Sequence, residues 1–492
     1  MLNTKSKLPS FRWTGGPLFA GLLAVLAGTA IGLLTLLLPQ AHLHQIVIAL
    51  AVGVCLTVMV AIRQVRYPLV IALCVAIPLN AFSISPFSET FPYNPSGAPP
   101  GILLRLYDFP LLGLLAYTFI KSATQKMTLR FTAVDFAALV LMGWGLLTIF
   151  NAAYPAFTFF EFLRMLKLYV LARLIVMNIQ NKRDLQVVIG AILAGDLLQT
   201  AISVAQYITN NDFGLGLFTV GELRRVTGTL GWPNTLGAYG ATVLLLSLAL
   251  WVSSQGGKWI WLMNIASFAL VILSYSRGAW IATLLGALVV IWLCLQLLIP
   301  DANKILNRVF MIILIAAVIV ALFSDSIFAR VENISPEMDV LVTRARLNQI
   351  AYNMISAHPV MGVGQNNFME VIRSYDTTGI TLFNMEPVHN VFLLIAAETG
   401  LIGLILFILL LGAALLACWR VIKGRNRLLS ATAIGLIGAM LAIIITNTAD
   451  VHLRSDGFFA FFWCLLGLVM ALENLSAQEA NSISTQAMGT ST

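Results

Sequence analysis

Fourteen apolar runs, each near the length of a membrane-crossing helix, divide this chain. They fall at about 17–38, 43–62, 67–84, 102–120, 132–152, 158–178, 185–207, 234–252, 258–275, 279–299, 308–324, 390–418, 428–447 and 457–473. A transmembrane α-helix needs about 20 apolar residues, and in lipid every backbone polar group must find its partner within the protein. The expected fold is therefore all-α, a polytopic transmembrane helical bundle of about 12–14 spans. Composition points the same way: 59% of the residues are hydrophobic and 10% charged, against about 25% charged in soluble domains. The run at 67–84 contains Pro78, and the break at Ser276–Gly278 could instead lie within one long interrupted segment. The first run, from about Pro17 to Leu38, is too long for the core of a signal peptide and is soon followed by a second, so no cleavable leader is expected.

The basic residues orient the spans. With the N-terminus inside, seventeen lysines and arginines fall on inner segments, eight on outer segments and four within spans. The bias obeys the positive-inside rule at every inner loop and puts both termini in the cytoplasm. In such a protein the net charge of +8 reflects topology before any affinity for nucleic acid. The expected organisation is a cytoplasmic segment at 1–16, eleven spans over 17–324, one large outer loop at 325–388, three spans over 389–473, and a disordered cytoplasmic tail at 474–492. Cys55, Cys74, Cys294, Cys418 and Cys464 all lie inside or at the end of apolar runs. No disulfide framework and no zinc site follow from that placement.

All eight outer basic residues are arginine: Arg224, Arg225, Arg277, Arg330, Arg344, Arg346, Arg373 and Arg454. The planar guanidinium fork binds phosphate oxygens in pairs, so an anion handled at the outer face would account for the choice. The plainer reading is chance and a few salt bridges. Two outer segments exceed what a connector needs. The first, about Thr209 to Pro233, is rich in Gly and Asn and carries Arg224 and Arg225. In the second, Leu347, Ile350, Ala351, Met354 and Ile355 recur at helical spacing. That predicts an amphipathic helix over about 338–357 stopped by Pro359, a turn at Gly362–Gly364, and a short helix around 367–375.

Four patterns stand at the outer boundary: Arg225-Val-Thr-Gly-Thr-Leu-Gly-Trp-Pro-Asn234, Tyr275-Ser-Arg277-Gly-Ala-Trp280, His358-Pro-Val-Met-Gly-Val-Gly364, and Glu386-Pro-Val-His389-Asn390 with the Glu398-Thr-Gly-Leu-Ile-Gly403 that follows. From about Arg225 to Phe407 the chain resembles the O-antigen ligase/polymerase family of bacterial membrane glycan transferases. The resemblance implies a reaction at the outer face of the inner membrane: a glycan carried on undecaprenyl diphosphate passes to an acceptor hydroxyl, and the lipid diphosphate leaves. It assigns Arg225 and Arg277 to the developing diphosphate charge, a task suited to fixed guanidinium groups. It assigns His389 to the acceptor hydroxyl, as base or as positioning group. The implied partners are the lipid-linked donor, a glycan or lipid acceptor and the surrounding membrane lipids, with no nucleic acid.

Other residues carry two readings. Arg224 could bind substrate or face solvent, and Pro233-Asn234 could serve the site or simply start a helix. His358 precedes a proline at a helix end and is expected to be structural. Glu161, Arg164 and Lys167 recur every three residues, so Arg164 could meet a lipid diphosphate or pair with Glu161, Asp108 or Asp196. Arg105 and Asp108 lie on one helix face and could neutralise each other. Glu398, nine residues after His389, faces away from it on an ideal helix. Asp450, His452, Arg454 and Asp456 crowd the last outer loop, where Asp450 and Arg454 fit an electrostatic or acceptor role better than a metal site. No Asp-x-Asp pair lies in an outer loop, as a metal-dependent transferase using nucleotide sugars would need, and no cofactor is expected. The competing class, a non-enzymatic transporter of polysaccharide or lipid-linked glycan, would place charges near the midplane of repeated halves. Neither feature is visible. Lipid A core, another repeat unit and a protein serine all remain open as acceptors, and the number of spans leans toward a polymerase.

Overall fold

The computed structural model describes residues 65–79, 83–84, 103–124, 130–220, 223–298, 335–424 and 426–489. The expected spans at 17–38, 43–62 and 308–324 lie outside these. Each of the other eleven apolar runs forms a helix. In chain order they are α1 (Arg66–Ala76), α2 (Asp108–Thr124), α3 (Ala133–Leu147), α4 (Pro155–Asn178), α5 (Lys182–Thr209), α6 (Pro233–Val252), α7 (Ile260–Leu273) and α8 (Arg277–Leu297). After α9 (Ser335–Ala357) and the short α10 (Phe368–Val371) of the large loop come α11 (Val391–Ile422), α12 (Arg427–Asn447) and α13 (Asp456–Gly489). Seven of the described helices are long and apolar enough to cross a membrane. The fold is an all-α polytopic helical bundle.

Local chemistry sets the helix starts. Thr132 and Asp135 form a reciprocal capping box on α3, and Asn181, Ser276, Asn390 and Asn426 cap α5, α8, α11 and α12 through their side chains. Pro155 and Pro233 open α4 and α6, where a missing N–H costs nothing. Pro78 ends the first described span just after Ala76, and its carbonyl accepts bonds from Gln199 and Thr229 at 2.6 and 2.7 Å.

Helices α6, α12 and α13 form the centre, with most of their spans buried in protein. Small residues let the backbones approach: a Cβ on Gly435 would lie 2.9 Å from the carbonyl oxygen of Leu246, and one on Gly467 would lie 2.7 Å from that of Ala172. Helix α7 runs back along α6, joined by Ser247 and Asn264, while α8 runs with it, Gly237 facing Ala279 and Gly286 facing Leu245. The segment at Ser276–Gly278 is thus a turn between two separate helices. Arg66, Lys182, Arg420 and Arg427 share one end of the bundle, where Arg66 pairs with Asp184, Lys182 with Glu479 and Arg420 with Glu473. The starts of α6, α8, α11 and α13 share the other.

Three features depart from expectation. Two short antiparallel ribbons interrupt the all-helical pattern: β1 (Ser83–Ile84) with β2 (Leu104–Arg105), and β3 (Leu217–Val220) with β4 (Leu223–Val226). The tail expected to be disordered continues α13 to Gly489, since Ala, Gln and Glu are adequate helix formers and Glu479 ties it to Asn426 at 2.6 Å. Helix α11 is broken: Gly400 has φ +72° and ψ 179°, a conformation open only to glycine.

The large loop seals that break. The Gly362–Gly364 turn lies against it, with Val363 N–H and Gly364 N–H donating to the carbonyls of Ala397 and Glu398 at 2.9 and 3.0 Å. From the other side Leu401 N–H donates to the Pro359 carbonyl at 2.8 Å. The His358–Gly364 motif thus supplies partners that the broken helix lacks. Helix α9 begins at Ser335 and ends at Ala357, and buries Leu347, Ile350, Ala351 and Met354 against Val388, Leu394 and Ala397. The second short helix comprises α10 and the 3-10 turn Ile372–Tyr375.

Candidate active site

Four elements bring polar side chains to the end of the bundle opposite Arg66, Lys182, Arg420 and Arg427. The ribbon supplies Arg225 on β4, and its guanidinium is anchored to the protein on two sides. Nε donates to the Ser274 carbonyl at 2.9 Å, and Nη2 donates to Asn234 Oδ1. Arg225 is only 8% exposed. Asn234, in the first turn of α6, turns its amide nitrogen to Asp450 Oδ2 at 2.8 Å. The other oxygen of Asp450, in the turn after α12, faces His389 Nδ1 at 3.3 Å. His389 Nε2 faces Glu386 Oε2 at 3.1 Å. Arg225, Asn234, Asp450, His389 and Glu386 therefore form one continuous hydrogen-bonded chain.

The ends of that chain differ: Arg225 is buried, whereas the Glu386 side chain is 41% exposed. Carboxylates accept hydrogen bonds and do not donate them, so both ring nitrogens of His389 carry a proton when both contacts are made. Burial works against the charged ring, but the bonds to Asp450 and Glu386 outweigh it and raise the His389 pKa to about 9, with Arg344 opposing. Burial likewise opposes charge on Asp450; its neighbours His452 and His389 and the Asn234 amide more than offset that, and hold it well below the ordinary carboxylate range. The bond from His389 is the first cause lowering Glu386. His452, buried and 3.2 Å from Thr235 Oγ1, is shifted down by burial.

Arg277 opens α8 and is exposed. The turn before it, whose Ser274 carbonyl receives Arg225, packs on Gly237 one turn into α6. Arg277 thus starts its helix beside the first turn that carries Asn234. Arg224, next to Arg225 on β4, is exposed. The structure brings Arg225, Asn234, Asp450 and His389 into direct sequence of contact and sets Arg277 beside them.

Arg164 and Arg454 belong to a second group. Arg164 pairs with Glu161 at 2.7 Å and with Asp456 at 2.8 Å, and lies over the ring of Phe459. The Arg105 guanidinium reaches the same Asp456 at 2.6 Å, while its backbone N–H donates to Asp108 Oδ2 at 2.7 Å, and Asp108 binds Lys167 at 3.0 Å. Arg454 pairs with Glu398 and donates to Asn366 at 2.7 Å. Glu161, Arg164, Glu398 and Arg454 line a pocket of about 90 Å³ whose other walls, among them Met165, Leu394, Phe407 and Trp463, are mainly apolar. Glu398 faces this pocket and not His389, as its nine-residue offset implied. His358 binds Tyr375 at 2.8 Å and Asn151 at 3.3 Å, stitching the loop to the turn after α3. Among the described residues no group of three or more His, Cys, Asp or Glu is placed to hold a metal ion.

Sequence reasoning quoted Glu386 within its motif but gave it no role; its position three residues before His389 was the available signal. The partners of Arg164 and Arg454 on α11 and α13 come from distant parts of the chain and left no local pattern.

Residues 262–408 match the family model Wzy_C, described as O-antigen ligase. This region, from α7 through the large loop to the middle of α11, is similar to the O-antigen ligase family. It holds Arg277 and His389, while Arg225, Asn234 and Asp450 lie outside the match. The match supports O-antigen ligase/polymerase-type glycan transfer in general, and the seven long apolar helices fit a membrane protein. No curated protein matches the chain.

Proposed function

We propose that this protein transfers a glycan from undecaprenyl diphosphate to an acceptor hydroxyl, at the periplasmic face of the bacterial inner membrane. The observation that carries the reading is the hydrogen-bonded chain from Arg225 through Asn234 and Asp450 to His389. Asp450 fixes the tautomer and plane of His389 and stabilises its charged form, the part an aspartate plays behind a catalytic histidine. Glu386 occupies Nε2 in the resting site. An acceptor hydroxyl that displaces Glu386 meets a ring nitrogen whose proton is no longer held by a carboxylate, and the proton leaves with Glu386 toward solvent.

The transfer then balances simply. The acceptor oxygen attacks the anomeric carbon from the face opposite the diphosphate, and its proton passes to His389 Nε2. The bond from carbon to the diphosphate oxygen breaks, and its electron pair stays on that oxygen. Arg277, exposed at the start of α8, and Arg225 behind it meet the growing negative charge. Arg224 lies one residue farther along the ribbon, where it can reach the same anion. The second pocket, apolar with an internally neutralised ionic floor, suits a lipid or sugar portion of a substrate better than a free phosphate, so Arg164 and Arg454 shape that wall. The acceptor is a lipid core sugar, the end of another repeat unit or a protein hydroxyl.

Purified protein in lipid discs, given a glycan on undecaprenyl diphosphate and an acceptor, tests the reading. His389→Ala and Arg277→Ala should each abolish transfer while the protein still inserts and purifies. EDTA should leave the wild-type rate unchanged. A rate stopped by EDTA and restored by magnesium would contradict the metal-independent chemistry.

A further inference from the structure

We infer that the pocket lined by Trp463 and Gln365 receives the acetamido group of an N-acetylated sugar, carried by the donor or by the acceptor. The inference rests on the proposed glycan transfer and gives it a specificity pocket that neither the motifs nor the hydrogen-bond chain assigns.

The pocket owes its place to the break in α11. Phe392 and Phe407 are fifteen residues apart, about 22 Å along a straight helix, yet their ring centroids lie 5.9 Å apart. The helix therefore bends sharply at Gly400, and Leu394 and Glu398 before the break line the same pocket as Phe407 after it. Interrupted helices of this kind hold substrate sites in membrane proteins. Val391 and Leu453 also line the pocket. They follow His389 by two residues and Asp450 by three, so the pocket adjoins the reacting groups.

Two hydrogen-bonding groups in the pocket wall lack partners. Trp463 is 1% exposed, and its buried indole N–H has no acceptor. The buried amide oxygen of Gln365 has no donor. Gln365 is firmly held. Its N–H donates to Thr148 Oγ1 at 3.0 Å, its carbonyl accepts from Thr158 Oγ1 at 2.8 Å, and its amide nitrogen donates to Met165 Sδ at 3.0 Å. A Cβ on Gly145 would collide with the amide oxygen, so this glycine makes room for it. The next residue, Asn366, has φ +63°, a backbone strain of the kind stored at functional sites. Buried polar groups without partners are costly. A donor and an acceptor fixed at one pocket point to a ligand that satisfies both.

The walls define that ligand. Glu161 pairs with Arg164 and Glu398 with Arg454, so neither an anion nor a cation finds an uncompensated charge. An isoprenoid chain would leave both polar groups unpaired. A water molecule takes up about 30 Å³ in the liquid, so a hydroxyl alone leaves most of the about 90 Å³ unfilled and the apolar walls without contacts. An acetamido group is neutral and meets each demand. Its carbonyl accepts from the indole, its N–H donates to the Gln365 oxygen, and its methyl packs on the apolar wall.

Purified full-length protein in lipid discs tests this. Donors whose diphosphate-linked sugar carries a 2-acetamido or a 2-hydroxyl group are each paired with acceptor sugars of both kinds. The ratio kcat/KM is measured for wild type, for Trp463→Phe, which removes the N–H and keeps an aromatic ring, and for Gln365→Met, which keeps the length and removes the amide. Wild type should favour a 2-acetamido substrate over its 2-hydroxyl counterpart by about tenfold or more, as one or two neutral hydrogen bonds imply. Each variant should lose about tenfold more on the 2-acetamido substrate than on the 2-hydroxyl one. A preference that follows the donor puts the donor's sugar in the pocket, and one that follows the acceptor puts the acceptor's there; either supports the inference. A wild type that does not distinguish the two groups overturns it without recourse to any variant. Variants that slow both substrates alike overturn it in favour of a wall that only packs. A wild type that transfers none of the donors overturns the underlying reading of glycan transfer.

Discussion

Asp450 and His389, 61 positions apart in sequence, meet at 3.3 Å because the turn after α12 and the cap of α11 close on the same corner of the bundle. The pairing makes the imidazole part of a relay that reaches the buried Arg225. Asp450→Asn keeps the shape but removes the charge and offers the wrong hydrogen-bond partner to Nδ1. Transfer should fall by about 10²–10⁴-fold, with melting temperature little changed. This is measured as turnover of lipid-linked glycan in discs.

The pH dependence follows from the two carboxylates on His389. Its pKa is raised to about 9, so the neutral ring that accepts a proton is scarce at pH 7 and grows as pH rises. The rate under substrate-limited conditions should climb tenfold per pH unit and level off near pH 9. Glu386→Gln removes one of the groups that hold the proton on the ring. The level portion should then begin at lower pH, by a shift read from the rate profile. A profile unmoved by Glu386→Gln would show that the 3.1 Å contact does not control the ring.

The break at Gly400 gives a prediction about stability. A Cβ there would stand 2.0 Å from the Val360 carbonyl oxygen, in a backbone conformation that side chains avoid. Gly400→Ala should destabilise the protein by about 3 kcal/mol or more. Gly412→Ala, in the same helix with open space around it, should leave the melting temperature unchanged. A stable Gly400→Ala would mean that the loop does not lock onto α11 as described.

Glu398 is buried and its partner Arg454 half-buried, and breaking such a pair strands the buried charge. Arg454→Met should cost about 3–5 kcal/mol, whereas Arg454→Met combined with Glu398→Leu should recover much of it. Thermal unfolding of the four variants of the cycle checks this. If the double variant is as unstable as the single, the pair does more than neutralise itself.

Much of this was legible because the governing patterns are local. Apolar length located eleven described helices, and the 347–354 stripe with Pro359 located α9. The outer-boundary motifs, through the family resemblance they carry, marked Arg225, Arg277 and His389. The contacts that make a site of them were not legible. That Asn234 bridges Arg225 to Asp450 depends on how α6 and α12 pack, because Asp450 lies 216 positions away in sequence. The strand pairing of Leu223–Val226 was hidden in a Gly- and Asn-rich segment that reads as loop. Gly400 reads as one glycine in an apolar run; only the docked Gly362–Gly364 turn makes its special backbone necessary. The charges of α4 were visible as a stripe, and Arg164 pairs with Glu161 as one of its readings had it; the further partners, Asp456 for Arg164 and Asp108 for Lys167, were fixed by tertiary packing.

The most direct test of the central claim is a double-mutant cycle on transfer itself, using single-turnover rates for wild type, Arg225→Gln, His389→Ala and the double variant. Residues that act as one unit lose their effect together. Each single variant should be slowed at least about 100-fold, and the double variant should be little slower than the worse single. Fully multiplicative losses, or a His389→Ala protein that transfers at the wild-type rate, would contradict a single site built on the Arg225 to His389 relay.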